Sequence, residues 1–224
     1  MSSSFTENRK PKTENPKIRL RIFLTGVGGQ GTLLASRVLG EAALEAGFSP
    51  LVSETHGMAQ RGGIVVSTVV LGEVKSPIIS PGEADVLLGF EALETFRALN
   101  YCHARSLVIA NTAAIAPYPV ATGQAKYPPV DRMLALLGEQ VGGLLAFDAG
   151  AWAREAGSPL AVNMVLLGAL AATAYLPFSQ DDLRHILTTR TNPKFMEANL
   201  KAFQAGADAA EDDQYWIKRP GAWH

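Results

Sequence analysis

Short apolar runs alternate with segments of helical periodicity along this chain, and this alternation constrains the fold more than any other feature. The first run, 18–26 (IRLRIFLTG), is followed by a helical pattern at 32–48 and a second short run at 49–54. We interpret these three segments as a β-α-β unit, because such apolar runs suit strands buried on both faces. Further buried strands are predicted at 84–90, 106–112 and 142–150. The sequence therefore predicts an open, Rossmann-like α/β fold with a mostly parallel sheet.

The segments outside this alternation complete the predicted architecture. The β-branched segment 62–73 is joined to 74–80 by a short turn, so these two segments are predicted to form an antiparallel edge hairpin. From Ser158 to about Asp208 the pattern is helical, which predicts a helical C-terminal part. We expect the following organisation: a disordered tail at 1–17, one domain at 18–208 and an irregular tail at 209–224.

Charge and cysteine content exclude several classes of function. The 224 residues carry a net charge of −1, and no basic run provides a footprint for nucleic acid or a membrane surface. The single cysteine, Cys102, can form neither a disulfide within the chain nor a four-thiolate iron–sulfur or zinc site. We therefore expect no metal site in this chain. The first residues lack the apolar core of a secretory signal, so the cytoplasm is the expected location.

The stretch 158–178 is apolar and about as long as a short membrane span. It is interrupted by Asn163, Gly168 and Thr173, and Pro177 ends it. No basic flank follows the stretch, as it would beside many membrane spans. We expect a helix that is buried in the core or against a partner subunit.

A glycine-rich turn follows the first predicted strand. Gly26, Gly28 and Gly31 match the pattern G-x-G-x-x-G, in which backbone N–H groups approach a phosphate at a helix N-terminus. The turn is not a Walker A loop, because Thr32 and Leu33 stand where that motif has Lys and Ser or Thr. The pattern thus predicts an anion site and argues against an ATPase.

Two other interpretations of these glycines remain open. A dinucleotide fold needs an acid about 20 residues later to hold the ribose, and Glu54 at the end of the second strand is suitably placed. Gly26, Gly28, Gly31 and Glu54 would then belong to a self-contained NAD(P)-binding oxidoreductase or sensor. Alternatively, the glycines only permit close packing of the helix on the strand.

A second polar, glycine-rich segment follows the second strand. In an open α/β sheet, ligands bind outside the carboxyl ends of the strands, and this segment is expected there, beside the first turn. An ordinary dinucleotide fold has no need of such a segment. Its candidate binding residues are Thr55, His56, Gly57, Gln60, Arg61, Gly62 and Gly63.

The two segments together resemble a known family. The first segment is GVGGQG at 26–31, and the second is THGMAQRGG at 55–63. Four further motifs follow them along the chain: SPIISPGEADVLLGFEALE, YPPVDRMLALLGEQVG, FDAGAWAREAG and AVNMVLLGAL. This order of motifs, over about 18–200, resembles the gamma-type subunits of the 2-oxoacid:ferredoxin oxidoreductases. Within that family, it is most similar to the beta subunits of the enzymes that act on indolepyruvate or other arylpyruvates.

The resemblance implies a role within a complex. Enzymes of this family decarboxylate a 2-oxoacid on thiamine diphosphate, pass electrons through [4Fe-4S] clusters to ferredoxin, and transfer the acyl group to coenzyme A (CoA). Because this chain lacks cluster cysteines and a thiamine diphosphate signature, thiamine diphosphate, magnesium and the clusters are expected in a larger partner subunit. The glycine turn would give backbone donors to a phosphate or to the partner, through Gly26, Gly28, Gly29, Gln30, Gly31 and Thr32.

Each polar residue singled out also has a purely structural interpretation. His56 has no second ligand at metal spacing, so a hydrogen-bonded loop histidine is favoured over a metal ligand or base. Arg61 could hold a phosphate or carboxylate, or form a salt bridge. Capping of the next helix is favoured for Asp148. Asn163 could bond across a subunit interface or satisfy a buried backbone group, and Cys102 is expected to be a packed thiol.

Overall fold

The computed structural model describes residues 18–56 and 63–221, and within these residues the chain forms one seven-stranded sheet. The sheet order is β2-β3-β1-β4-β5-β6-β7. The strands have the following bounds: β1 (Leu20–Val27), β2 (Pro50–His56), β3 (Ile64–Leu71), β4 (Ala84–Gly89), β5 (Cys102–Asn111), β6 (Gly143–Phe147) and β7 (Trp216–Lys218). The helices are α1 (Thr32–Glu45), α2 (Ala92–Arg97), α3 (Tyr118–Ala121), α4 (Val130–Gln140), α5 (Ala149–Glu155), α6 (Val162–Ala171), α7 (Gln180–Arg190) and α8 (Pro193–Glu211).

The centre of the sheet is parallel and its edges are antiparallel. Strands β1, β4, β5 and β6 are parallel neighbours, β3 pairs antiparallel with both β1 and β2, and β7 pairs antiparallel with β6. Together with the helical segment after residue 158, this arrangement confirms the predicted α/β class, with its mostly parallel sheet, antiparallel edge pair and helical C-terminal part.

The predicted β-α-β unit needs a correction. Strand β2 does not pair with β1, because β3 lies between them and pairs with each in an unbroken register. The reason lies in burial: β3 is buried along most of its length, whereas residues 50–55 in β2 are all half-buried or exposed. A strand that is apolar on both faces is stable inside a sheet, and a strand with exposed residues suits the edge.

The partner of β3 in the edge hairpin was also predicted wrongly. Within 74–80 the chain forms no strand, and β3 pairs with β2 instead. Pro77 within this segment lacks the N–H that a ladder requires. The segment is nevertheless fastened to the sheet, because the hydroxyl of Thr68 donates to the carbonyl of Pro77 at 2.7 Å.

The C-terminal segment is more regular than expected from the sequence. Helix α8 continues to Glu211, and β7 covers the outer edge of β6, where backbone groups would otherwise be unpaired. The ring of Tyr215 lies 5.9 Å from the ring of Phe147 and 5.2 Å from that of Trp152. This aromatic cluster holds the end of the chain against the sheet, so the prediction of an irregular tail is wrong for the strand.

The helices cover the two faces of the sheet unequally. Helices α1 and α5 to α8 pack on one face, and α2 and α4 pack on the other face, over β4 to β6. Helix α6 lies at the centre of the first layer, where all its residues from Asn163 to Ala171 are buried. Its backbone approaches α8 so closely that a Cβ on Gly168 would lie 1.8 Å from the carbonyl oxygen of Phe203.

The apolar stretch 158–178 is thus a core element, which confirms the first of the two expectations for it. Among the described residues, no helix is both long and apolar enough to cross a membrane.

Candidate ligand-binding site at the carboxyl ends of the strands

The carboxyl ends of the parallel strands are tied together by two side-chain amides. Gln30 accepts a hydrogen bond from the Val27 N–H at 2.7 Å and donates to the Phe90 carbonyl, also at 2.7 Å. Asn111 donates to the same carbonyl at 2.9 Å and accepts from the Ala149 N–H at 3.0 Å. Gln30 was predicted to offer a backbone donor, but its side chain links the end of β1 to the end of β4.

Two glycines of the turn are required by close packing. A Cβ on Gly26 would lie 2.7 Å from the Cβ of Phe90, so any side chain there would force β1 and β4 apart. Gly31 has a φ of 81°, which favours glycine, and a Cβ on it would lie 2.6 Å from Nδ2 of Asn163. Asn163, which is 3% exposed, donates to the Gly31 carbonyl at 3.4 Å. Of its two interpretations, satisfaction of a buried backbone group is therefore the one the structure supports.

The turn still presents backbone donors at its tip. The N–H of Gly28 is already bonded to the carbonyl of Gly63 at 2.9 Å. Among the described residues, the N–H groups of Gly29, Gly31 and Thr32 have no hydrogen-bond partner. Gly31 is the N-cap of α1 and provides no side-chain cap, so the positive end of the helix dipole is open at this point. This geometry suits an anion.

Of the second polar segment, the structure describes the two ends, Thr55, His56 and Gly63, and Gly63 lies beside the glycine turn. The bond from Gly28 to Gly63 joins the end of β1 to the start of β3. Thr55 is exposed near the end of β2, and His56 is the last residue of β2, paired in the ladder with Val65. Four of the predicted binding residues lie outside the described residues: Gly57, Gln60, Arg61 and Gly62.

The geometry disfavours the dinucleotide interpretation. With β3 inserted, the end of β2 lies two strand spacings from β1, or about 9–10 Å. Glu54 is therefore displaced from the glycine turn, and its carboxylate pairs with Arg37 of α1 at 3.2 Å. In a dinucleotide fold, the acid that holds the ribose lies on the strand next to the first one.

A buried carboxylate next to the Phe90 carbonyl was not predicted. Glu91 is 1% exposed and accepts hydrogen bonds from the Glu94 N–H at 2.9 Å, from the Ile115 N–H at 3.0 Å and from the hydroxyl of Tyr127. Burial and this carboxylate raise the pKa of the Tyr127 hydroxyl. Glu91 thereby holds the segment after β5 against α2. The position of Glu91 directly before a helix was the available signal, because an acid there can cap the first turn.

A cleft of about 340 Å³ opens beside α2, on the face of β1, β2 and β3 opposite α1. Thr55 lines this cleft, together with Thr25 and Phe23 of β1. Its far wall contains Glu94, which pairs with Arg97 at 2.7 Å. Burial raises the pKa of the Glu94 carboxyl, and the Arg97 guanidinium opposes this shift.

Two further predictions concern single side chains. Asp148 caps α5 by accepting a hydrogen bond from the Ala151 N–H at 2.8 Å, as favoured from the sequence. Burial raises the pKa of the Cys102 thiol to about 12, as for a packed and unreactive thiol. Within 18–56 and 63–221, no three His, Cys, Asp or Glu side chains are grouped so that they could hold a metal ion.

Comparison with known proteins identifies the family. Residues 21–209 match the model of the pyruvate ferredoxin/flavodoxin oxidoreductase family. The sequence is 42% identical over 193 residues to the indolepyruvate oxidoreductase subunit IorB of Thermococcus kodakarensis, covering 85% of this chain and 96% of that protein. Identity to IorB of Methanothermobacter thermautotrophicus is 41% over 191 residues, covering 85% of this chain and 97% of that protein. The chain belongs to this oxidoreductase family, so the resemblance stated from the motifs is confirmed.

Solved structures share the fold at lower sequence identity. The gamma subunit of a keto/oxoacid ferredoxin oxidoreductase from Geobacter sulfurreducens superposes with a TM-score of 0.63 at 23% identity, covering 86% of this chain and 98% of that chain. The 2-oxoglutarate:ferredoxin oxidoreductase of Magnetococcus marinus gives a TM-score of 0.65 at 20% identity, covering 92% of this chain and 34% of that chain.

The role of the Gln30 amide leads to a stability prediction. In Gln30→Glu, the carboxylate still accepts from the Val27 N–H but has no proton to donate to the Phe90 carbonyl. We expect the free energy of unfolding at pH 7 to fall by about 2 kcal/mol. The facing carbonyl raises the pKa of the introduced carboxyl in the folded state. The difference in unfolding free energy between the variant and the unchanged chain should therefore become smaller as the pH falls towards about 4.3, the usual pKa of glutamate.

Urea denaturation at several pH values measures this effect. The matched control is Gln140→Glu at the exposed end of α4, where we expect a change within about 0.5 kcal/mol. Equal losses in the two variants, or a deficit that does not depend on pH, would show that the Gln30 amide does not link β1 to β4.

Proposed function

We propose that this chain is the small subunit of an indolepyruvate or arylpyruvate:ferredoxin oxidoreductase, active only in complex with a larger subunit. The complex would convert the 2-oxoacid and CoA to acyl-CoA and carbon dioxide, with reduction of ferredoxin. The observation that carries this proposal is 42% identity to an indolepyruvate oxidoreductase subunit across 96% of that protein. The expected cytoplasmic location is part of the proposal.

The decarboxylation and electron-transfer steps of this reaction need cofactors that the larger subunit would hold. A [4Fe-4S] cluster needs four thiolates, and this chain contains one cysteine. Its thiol has a pKa raised to about 12, so it is also a poor cluster ligand. Thiamine diphosphate, magnesium and the clusters are therefore assigned to the partner, where they would supply carbanion stabilisation and electron transfer.

The contribution of this chain would be to bind and orient CoA at the carboxyl ends of its strands. The hydrogen bond from Gly28 to Gly63 holds the glycine turn beside the last residue of the second polar segment. The N–H groups of Gly29, Gly31 and Thr32 have no hydrogen-bond partner among the described residues, and they lie at the open N-terminus of α1. A CoA phosphate fits such a site, because backbone donors and the helix dipole both favour an anion.

Arg61 would supply the opposing charge from the second segment. It lies two residues before Gly63, whose carbonyl anchors that segment to the turn. A guanidinium offers five donors and binds phosphate in a bidentate manner. Phosphate would then be held by the turn on one side and by the arginine on the other.

Purification and reconstitution test the proposal. The chain alone should be colourless and inactive towards any 2-oxoacid, because it has neither clusters nor thiamine diphosphate. Co-expression with an iron–sulfur thiamine subunit should give a brown complex that reduces ferredoxin in the presence of indolepyruvate and CoA. Stoichiometric iron in the pure chain, or stabilisation of the chain by NAD without any partner, would contradict the proposal.

The reconstituted complex also tests Arg61. Because a charge-assisted hydrogen bond is worth about 1.5–3 kcal/mol, Arg61→Ala should raise the KM for CoA about tenfold to a hundredfold. The KM for the 2-oxoacid should change little. Arg61→Lys should recover part of the loss, since charge remains without the planar fork.

The matched control is Arg132→Ala on α4, whose side chain is exposed and which belongs to neither of the two glycine-rich segments. It should leave both KM values unchanged. If Arg61→Ala instead preserves both KM values and dissociates the subunits on dilution, Arg61 is an interface residue and does not bind CoA.

A further inference from the structure

A second cleft lies at the opposite edge of the sheet, where the parallel strands begin. It has a volume of about 630 Å³. The residues that line it come from the segment before β1, the starts of β4 and β5, the segment after α6, and the segments around β6 and β7. Its charged or polar lining residues are Arg19, Asp85, His103, Arg105, Tyr175 and Lys218. This cleft is separate from the proposed CoA site, because the carboxyl and amino ends of the strands form opposite edges.

Asp85 is the one acid among the described residues that line the cleft, and both its oxygens are held by local contacts. Asp85 accepts from the backbone N–H of Arg21 at 2.8 Å, and its other oxygen lies 3.4 Å from Nε2 of His103. The Nδ1 atom of His103 accepts from the Arg105 N–H at 3.1 Å, so the ring proton sits on Nε2 and faces Asp85. Both carboxylate oxygens are thus engaged within the protein.

The cations in the cleft are less well satisfied. Among the described residues, the guanidinium groups of Arg19 and Arg105 have no hydrogen-bond or ion-pair partner. Lys218 donates to the carbonyls of Gly138 and Val141 at 3.2 and 2.5 Å, which leaves one of its three ammonium donors. Three cations therefore face one engaged carboxylate, and the cleft has an excess of positive charge.

We propose that this cleft binds a small molecule through a phosphate group. The three cations come from separate segments of the chain that meet at the cleft: Arg19 before β1, Arg105 on β5 and Lys218 on β7. A tetrahedral phosphate offers oxygens in several directions, whereas a carboxylate has two oxygens in one plane. The volume exceeds that of a bare anion and lies within the range of small-molecule sites.

Calorimetric titration of the full chain with inorganic pyrophosphate, at constant ionic strength, tests this site. The chain should bind the ion saturably. In Arg105→Gln, the dissociation constant at this site should rise about tenfold, the lower end expected for loss of a charge-assisted hydrogen bond. Arg132→Gln, at an exposed arginine on α4 outside the cleft, should bind as the unchanged chain does. Circular dichroism checks that each variant is folded.

Titrations of Arg61→Ala and titrations with citrate determine where the ion binds and which class of ligand the cleft takes. Binding that survives Arg61→Ala and weakens in Arg105→Gln assigns the ion to the amino-end cleft, whatever the outcome for CoA. Binding that is lost in Arg61→Ala, or is equally reduced in Arg132→Gln, overturns the inference. Absence of saturable pyrophosphate binding also overturns it, as does saturable binding of citrate alone, because that result would identify a carboxylate site.

Discussion

The carbonyl of Phe90 accepts hydrogen bonds from two side-chain amides, and the carboxyl edge of the sheet depends on this junction. Gln30 reaches it from the end of β1, and Asn111 reaches it from the end of β5. A buried polar group without its hydrogen bond costs about 1–3 kcal/mol, so loss of either amide should lower the free energy of unfolding. Four strands thereby end in a fixed arrangement, because Asn111 also accepts from the N–H of Ala149 after β6.

This rigid junction decides which groups remain available for a ligand. The Val27 N–H bonds to Gln30 and the Gly28 N–H bonds to Gly63, so neither is a ligand donor. Donors are left only farther along the turn, at Gly29 and at the start of α1, among the described residues. Groups that are held by the scaffold need no reorganisation when an anion arrives, which favours binding by a preorganised site.

The sequence predicted the class of fold because strand burial is a local property. Continuous apolar runs indicated the central strands, and an acid directly before the predicted helix indicated the cap at Asp148. The order of strands was harder to predict: nothing local in β3 says that it inserts between β1 and β2, since that choice depends on pairing across the whole sheet. Strand β7 was not predicted for the same reason, because three residues carry too little local pattern and their pairing with β6 is a long-range contact.

Several residues around the candidate site have contacts that the sequence did not reveal. Gly28 and Gly63 were expected close together, and a hydrogen bond joins them. The amide of Gln30 can donate and accept equally well towards a ligand or towards the backbone, so its sequence position could not distinguish the two roles. Glu91 and Tyr127 are 36 residues apart, and no short motif could reveal their bond.

Hydrogen–deuterium exchange of the reconstituted complex, resolved to single residues and measured with and without CoA, tests this arrangement most directly. The Gly28 amide should exchange slowly in both states, because it is bonded to the Gly63 carbonyl. The Gly29 and Gly31 amides should exchange fast without CoA and slowly with saturating CoA. Fast exchange at Gly28, or no change at Gly29 and Gly31 when CoA is added, would contradict a CoA site at the glycine turn.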